Sequence, residues 1–193
     1  VSTAGPNYPG TMADESGIGT IAWASPDYAK TNNGTDTSFD AGSLTRTSHY
    51  LKATNFGFTI PSGATINGVS VSVETWTSNY GWDKYCRTST IKLVKGGTIS
   101  GSNQGNATDW TDSFPGTVLT YGGASELWGL TLTDTDINSS TFGVALSATI
   151  ENTTGKATMI AYVDYISITI TYTEGAAGVP KQMMHYAKMR KTR

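Results

Sequence analysis

Ile66-Asn67-Gly68-Val69-Ser70-Val71-Ser72-Val73-Glu74-Thr75-Trp76 decides the fold class. Val69, Val71 and Val73 alternate with Ser70, Ser72 and Glu74, and a period of two places the valines on one face of an extended chain. This is a strand with one side buried. The same pattern recurs on both sides of it. Downstream, Thr88–Val94 carries Ile91 and Leu93 in register and stops at Gly96-Gly97. Thr117–Tyr121 and Leu127–Leu132 read as short strands around Gly122-Gly123. Phe142–Ile150 alternates Val144, Leu146, Ala148 and Ile150, and Ala157–Thr173 is the longest run, with Val163, Ile166, Ile168 and Ile170. Upstream, Ile18–Ala24 predicts a first strand. His49–Ile60 predicts another, kinked at Gly57 and closed by the turn Pro61-Ser62-Gly63, where Pro presets one backbone angle and Gly permits the next.

Between these runs, Asp27–Gly42, Asn79–Lys84 and Ser100–Gly116 are polar and loop-like. Helical spacing is confined to one turn near Asp134–Ser139, with Thr133 or Asp134 as its cap. Short strands separated by Gly, Pro and Asn clusters predict an all-β, jelly-roll-like β-sandwich over residues 18–174. The long final strand belongs at the centre of a sheet, where each fully buried apolar side chain contributes roughly 1.5–3 kcal/mol before entropy. Residues 1–17, rich in Pro, Gly and small polar groups, read as an N-terminal arm. Residues 175–193 read as a C-terminal arm.

Composition agrees with this class. Of 193 residues, 15% are charged and 37% hydrophobic, and 22 are Gly, a bias that fills pleated surfaces and turns. The single cysteine, Cys86, excludes an internal disulfide framework and, without a partner base, reads as structural. No apolar run reaches the ~18–20 residues of a membrane span, and no signal peptide is visible.

Charge is distributed unevenly. Residues 179–193 hold Lys181, Lys188, Arg190, Lys191 and Arg193 and no acid, a local charge of +5. Eight basic residues remain against all 15 acidic ones, leaving the rest at −7. Gly175-Ala-Ala-Gly178 supplies a hinge, and Pro180 can open a helix whose mixed face carries Met183, Tyr186, Ala187 and Arg190. Met adapts to irregular pockets, so the segment suits a protein groove. Its predicted partner-binding residues are Lys181, Met183, Met184, Tyr186, Lys188, Met189, Arg190, Lys191 and Arg193. Nucleic acid is disfavoured because no nucleic-acid-binding signature accompanies the cations. A membrane would need a stronger apolar face. A solvated tail is the bland alternative.

Catalysis and metals find little support. Asp27, Asp36 and Asp40 share one loop, and Asp109 and Asp112 another. Paired carboxylates can serve a glycosidase, but solvated loop acids are the simpler reading. Asp134, Asp136 and Asn138 are spaced like part of a calcium loop. Ser139 stands where that loop needs Gly, and Ala145 where it needs Glu. No metal, cofactor or enzymatic activity is expected. Asn33, Asn106, Asn138 and Asn152 begin glycosylation-type triplets, as chance predicts in a chain this rich in Asn, Ser and Thr. Tyr80, Trp82, Tyr85 and Trp110 crowd two connections. They fit core filling, a subunit contact, or a glycan site in which sugar rings stack on aromatic faces. Trp23, Trp76 and Trp128 fall in predicted strands and are assigned to the core.

Four stretches carry a resemblance: Tyr50-Leu51-Lys-Ala-Thr-Asn-Phe56-Gly-Phe58-Thr-Ile60-Pro61-Ser-Gly-Ala-Thr-Ile66-Asn-Gly-Val69, Tyr121-Gly-Gly-Ala-Ser-Glu-Leu-Trp128-Gly, Asp136-Ile-Asn-Ser-Ser-Thr-Phe142-Gly-Val144 and Val163-Asp164-Tyr165-Ile166. Together they resemble a β-sandwich domain of tailed-phage virion structural proteins, over about residues 18–174. The resemblance implies a non-enzymatic virion component at the particle surface, of the capsid decoration, head-fibre or tail-associated type. It brings no catalytic residues. The expected partners are major capsid or tail subunits and further copies of the chain, gripped through the termini. The alternative is a glycan-binding adhesin module using Tyr80, Trp82, Tyr85 and Trp110.

Overall fold

The computed structural model describes residues 1–78, 81, 83–155 and 157–175. Among them eleven strands form two antiparallel sheets around one core. In chain order they are β1 (Ser2–Asn7), β2 (Thr11–Glu15), β3 (Thr37–Asp40), β4 (Arg46–Thr47), β5 (Tyr50–Thr54), β6 (Thr65–Thr77), β7 (Lys84–Lys95), β8 (Thr98–Ser100), β9 (Thr117–Gly122), β10 (Gly143–Asn152) and β11 (Ile160–Thr173). One short helix, α1 (Asp134–Asn138), precedes β10. Sheet A runs β1-β11-β6-β9, with β3 also on β11. Sheet B runs β2-β5-β10-β7-β8, with β4 also on β10. Most connections cross from one sheet to the other, so the strands could not bury their apolar faces as separate hairpins. The architecture is the all-β sandwich that the periodicity predicts. No helix among the described residues is long and apolar enough to cross a membrane.

The alternation of β6 holds as read. Val69, Val71 and Val73 are buried against Ile166, Ile168 and Ile170 of the same sheet and face the β5, β7 and β10 residues Leu51, Ile91, Leu93, Val144 and Leu146. As expected, β11 is central, with β1, β3 and β6 all paired to it. Gly96 and Gly97, both at positive φ (57° and 83°), make the two-residue β7–β8 turn that Cβ-bearing residues resist. Thr133 caps α1 in a full capping box: its hydroxyl accepts from Asp136 N, and the Asp136 carboxylate accepts from Thr133 N at 2.9 Å.

Several expectations fail. Residues 1–17 are not a loose arm: β1 pairs with β11, and β2 pairs with β5 through Thr11↔Thr54 to Glu15↔Tyr50. Edge strands are held by backbone hydrogen bonds and need few large apolar residues; in β2 only Met12 is buried. Ile18–Ala24 forms only isolated bridges, at Ile21 and Ala24. The expected loop Asp27–Gly42 contains β3 and most of a 3-10 turn, Pro26–Ala29. The strand expected over His49–Ile60 ends at Thr54, yet Phe56, Phe58 and Ile60 still enter the core. Leu127–Leu132 is not a strand. Trp128 sits there at φ 58° and drives its indole into the core, donating Nε1–H to Val69 O at 2.9 Å. The expected 175–193 arm lies, beyond Gly175, outside the described residues.

Candidate functional site on the outer face of sheet A

Because Val71, Val73 and Thr75 of β6 point inward, Ser72, Glu74 and Trp76 point outward. Across the β6–β11 ladder Glu74 faces Tyr165 and Trp76 faces Tyr162. Between Val163 and Tyr165 the register shifts, so Asp164 is an extra residue on β11. Thr37 of β3 pairs with Val163, which sets Asp36 beside this bulge. Three carboxylates from distant parts of the chain, Asp36, Glu74 and Asp164, thus meet on one face.

Their environment is apolar and aromatic. Trp76 stacks on Tyr162 with ring centroids 3.9 Å apart and meets Phe114 edge-on at 5.7 Å. Tyr8 meets Tyr165 edge-on at 5.7 Å. Val118 of β9 lies opposite Glu74. Phe114 and Val118 are 58% and 47% exposed, and Tyr8 is exposed as well. Solvated water contacts at such apolar groups are readily given up to a partner.

The carboxylates themselves are largely covered: Glu74 and Asp164 are 8% and 2% exposed. Asp164 Oδ1 accepts from the backbone of Gly34 at 2.9 Å and of Asn33 at 3.4 Å. Burial raises the Asp36 carboxyl above its ordinary range; the Trp76 indole N–H works against the rise, and Asp164 adds to it. Asp36 Oδ1 and Trp76 Nε1 are nonetheless both buried without a partner in hydrogen-bond geometry. Burial likewise raises Glu74, with Asp164 and Asp36 reinforcing the rise and the Gly116 backbone N–H opposing it. No ion pair joins any of the three to a described cation. Lys30, whose backbone bridges to Tyr165, pairs instead with Asp27 at 2.9 Å. A cation arriving here would relieve mutual repulsion and would find acceptors already held in place.

The other outer face is different. On sheet B, Tyr85 donates to Glu151, and the Arg87 guanidinium lies 4.0 Å over the Tyr85 ring while pairing with Asp109. Tyr85, Arg87 and Glu151, with Ser89, Asn106 and Thr149, line an open groove of about 390 Å³.

The predicted site residues disperse. Tyr85 lines this groove. Trp110 is 1% exposed and its Nε1–H reaches Thr88 Oγ1 at 3.2 Å, so it is a core residue with no ring face to offer a sugar. Trp23 and Trp128 are core, as assigned, whereas Trp76 is half-buried on the outer face. Tyr80, Trp82 and the whole set Lys181, Met183, Met184, Tyr186, Lys188, Met189, Arg190, Lys191 and Arg193 lie outside the described residues. Of the loop acids read as solvated, Asp27 and Asp112 are exposed, but Asp36 is half-buried and Asp109 pairs with Arg87. Cys86 is buried in the core, and burial raises its thiol well above the ordinary value. Among the described residues no group of three or more His, Cys, Asp or Glu is placed to hold a metal. The Asp36–Glu74–Asp164 convergence was missed by sequence reasoning. One local signal existed: the apolar spacing in β11 slips from two to three between Val163 and Ile166, which marks the bulge.

No protein-family model matches the chain, and no curated protein matches it. Among solved structures it is similar to an arabinose-bound MgGH51 α-L-arabinofuranosidase (13% identity, 86% of this chain and 25% of that one, TM-score 0.39). It is also similar to SGBP-B of a xyloglucan utilization locus in Bacteroides uniformis (15%, 83% and 45%, TM-score 0.33) and to a chain of infectious bursal disease virus Gt strain (12%, 94% and 49%, TM-score 0.31). The chain thus spans a quarter to a half of the length of these neighbours. Similarity this low transfers neither activity nor ligand.

Proposed function

We propose that the chain is a non-enzymatic structural protein at the surface of a virion, of the capsid decoration or tail-associated kind. Segment 179–193 fastens it to capsid or tail subunits and to further copies of itself. The observation that carries this reading is the partition of charge: five of 13 basic residues and no acid in the last fifteen positions, against a formal −7 in the remainder. A cationic segment that carries three methionines and Tyr186 gains both area and charge pairing on an acidic protein surface. Repetition around a particle multiplies weak contacts into firm attachment. The test is particle assembly with full-length protein or protein lacking residues 179–193. Loss of incorporation on deletion is expected, and full incorporation of the deleted form would refute the reading.

A second reading, a glycan-binding adhesin, is favoured by the sheet B groove, where the half-buried Tyr85 ring lies among Glu151, Asn106 and Thr149. It requires Tyr85→Ala to abolish retention on an oligosaccharide array with the fold intact.

A further inference from the structure

We propose that the outer face of sheet A is the receptor for segment 179–193 of a second copy of this chain. This rests on the reading of that segment as an attachment device and names the surface it grips.

The first argument is charge. The five strands of sheet A contain Asp40, Glu74 and Asp164 and not one Lys or Arg. The strands of sheet B contain Arg46, Lys52, Lys84, Arg87, Lys92 and Lys95 against Asp14, Glu15 and Glu151. A segment with five cations and no acid therefore finds no surplus of acid on one face and is attracted by the other. The second argument is the match of side-chain chemistry. Asp36, Glu74 and Asp164 are acceptors without a described cation, and Lys or Arg supplies the donors. Exposed Phe114 and Tyr8 and the Trp76–Tyr162 pair suit the methionines, through sulfur–aromatic contact, and Arg190 or Arg193, through cation–π contact.

Reach favours a second copy over the same chain. Asp164 lies nine residues before Thr173, about 30 Å along β11. Lys181 lies eight residues beyond Thr173 and spans at most about 29 Å when fully extended, before any allowance for reversing direction. On its own body the backbone of Lys181 falls short of the acidic end, although Lys188 to Arg193, farther along the segment, could reach it, so engaging the whole segment from Lys181 onward is what favours a second copy. A neighbouring molecule has no such constraint and can lay the whole segment along the face.

The experiment uses the full chain, mixed from ¹⁵N-labelled and unlabelled preparations, cross-linked with a carbodiimide that joins amines directly to carboxylates, and mapped by mass spectrometry. Mixed-isotope links from Lys181, Lys188 or Lys191 to Asp36, Glu74 or the neighbouring Asp112 are expected. Sedimentation of the unmodified full chain should show salt-sensitive self-association, weakened about tenfold or more when Asp36→Asn and Glu74→Gln remove two charged acceptors. Because those sites are covered, Val118→Lys provides a second variant at an exposed position. It sets a resident cation against Glu74 and should weaken association similarly. Exclusively same-isotope links, links to Glu15 or Glu151 of sheet B, or a monomer without such links would overturn the proposal. So would oligosaccharide binding to this face that Trp76→Ala removes, if self-association is unaffected. Particle incorporation that needs residues 179–193 without inter-copy links would leave the attachment reading standing and this one refuted. Inter-copy links with incorporation indifferent to deletion would do the reverse.

Discussion

Sheet A and sheet B share one core and one architecture, yet they treat charge in opposite ways. Sheet B spends its cations at home: Lys52 meets Glu15 at 2.6 Å, Arg87 meets Asp109, and Lys95 meets Asp136 at 3.2 Å. Sheet A has no cation in its strands and gathers three carboxylates that crowd one another beside exposed aromatic rings. A surface whose charges are already matched has little to gain from a partner. One that holds like charges close together gains whenever an opposite charge arrives. The contrast therefore separates a self-contained face from a face built for company, within a single small sandwich.

The largest test of that contrast erases it. Phe142 is fully buried, lies just before β10 and meets Phe58 edge-on at 6.4 Å. Phe142→Ala should cost about 3–5 kcal/mol in urea unfolding, with both sheets lost in one transition. Separate transitions for the two sheets would show that the core is not shared. Thr133→Ala removes the α1 cap beside sheet B and should cost about 1 kcal/mol by the same measurement.

Acid titration should then split the faces by sign. A raised Glu74 carboxyl means that ionisation disfavours the folded state, so its cost appears as pH rises above the ordinary carboxylate value of 4.5. Glu74→Gln should melt above the parent protein at pH 7, with the difference gone near pH 3. Asp136, on the sheet B side, behaves oppositely. Burial alone would raise it, but the Thr133 hydroxyl and N–H and Lys95 outweigh burial and lower it. Its contribution is present above the ordinary value of 3.8 and is lost as pH falls through the lower folded value, so Asp136→Asn should melt below the parent at pH 7 and converge with it in acid. Equal signs for the two variants would sink the comparison. The smallest effect belongs to Lys52→Gln, where a partly exposed pair is worth about 1 kcal/mol or less and should vanish in high salt.

Much of the framework could be read in advance. The valines of β6, the isoleucines of β11 and the Leu146–Ile150 register of β10 each declare a buried face by spacing alone, because side-chain direction alternates locally along any strand. Thr133 and Asp136 declare a helix start for the same reason: a cap is settled within four residues. β1 and β2 stayed hidden because small polar residues on an edge are recruited by backbone hydrogen bonds to strands more than 30 positions away. Trp110 looked like a loop aromatic because nothing local tells that Thr88 and the core wait beneath it.

By itself the sequence determined the class of the fold, the central place of β11 and the segregation of cations into residues 179–193, all of which follow from local spacing or simple position. Only the tertiary structure decided that Asp36, Glu74 and Asp164 would share a face with Trp76 and Phe114, and that one sheet would keep its cations while the other had none. The reason is that the meeting depends on strand pairing across as many as 126 positions and on a one-residue bulge. Neighbours in space are chosen by register, and register is a property of the folded pair, not of either strand alone.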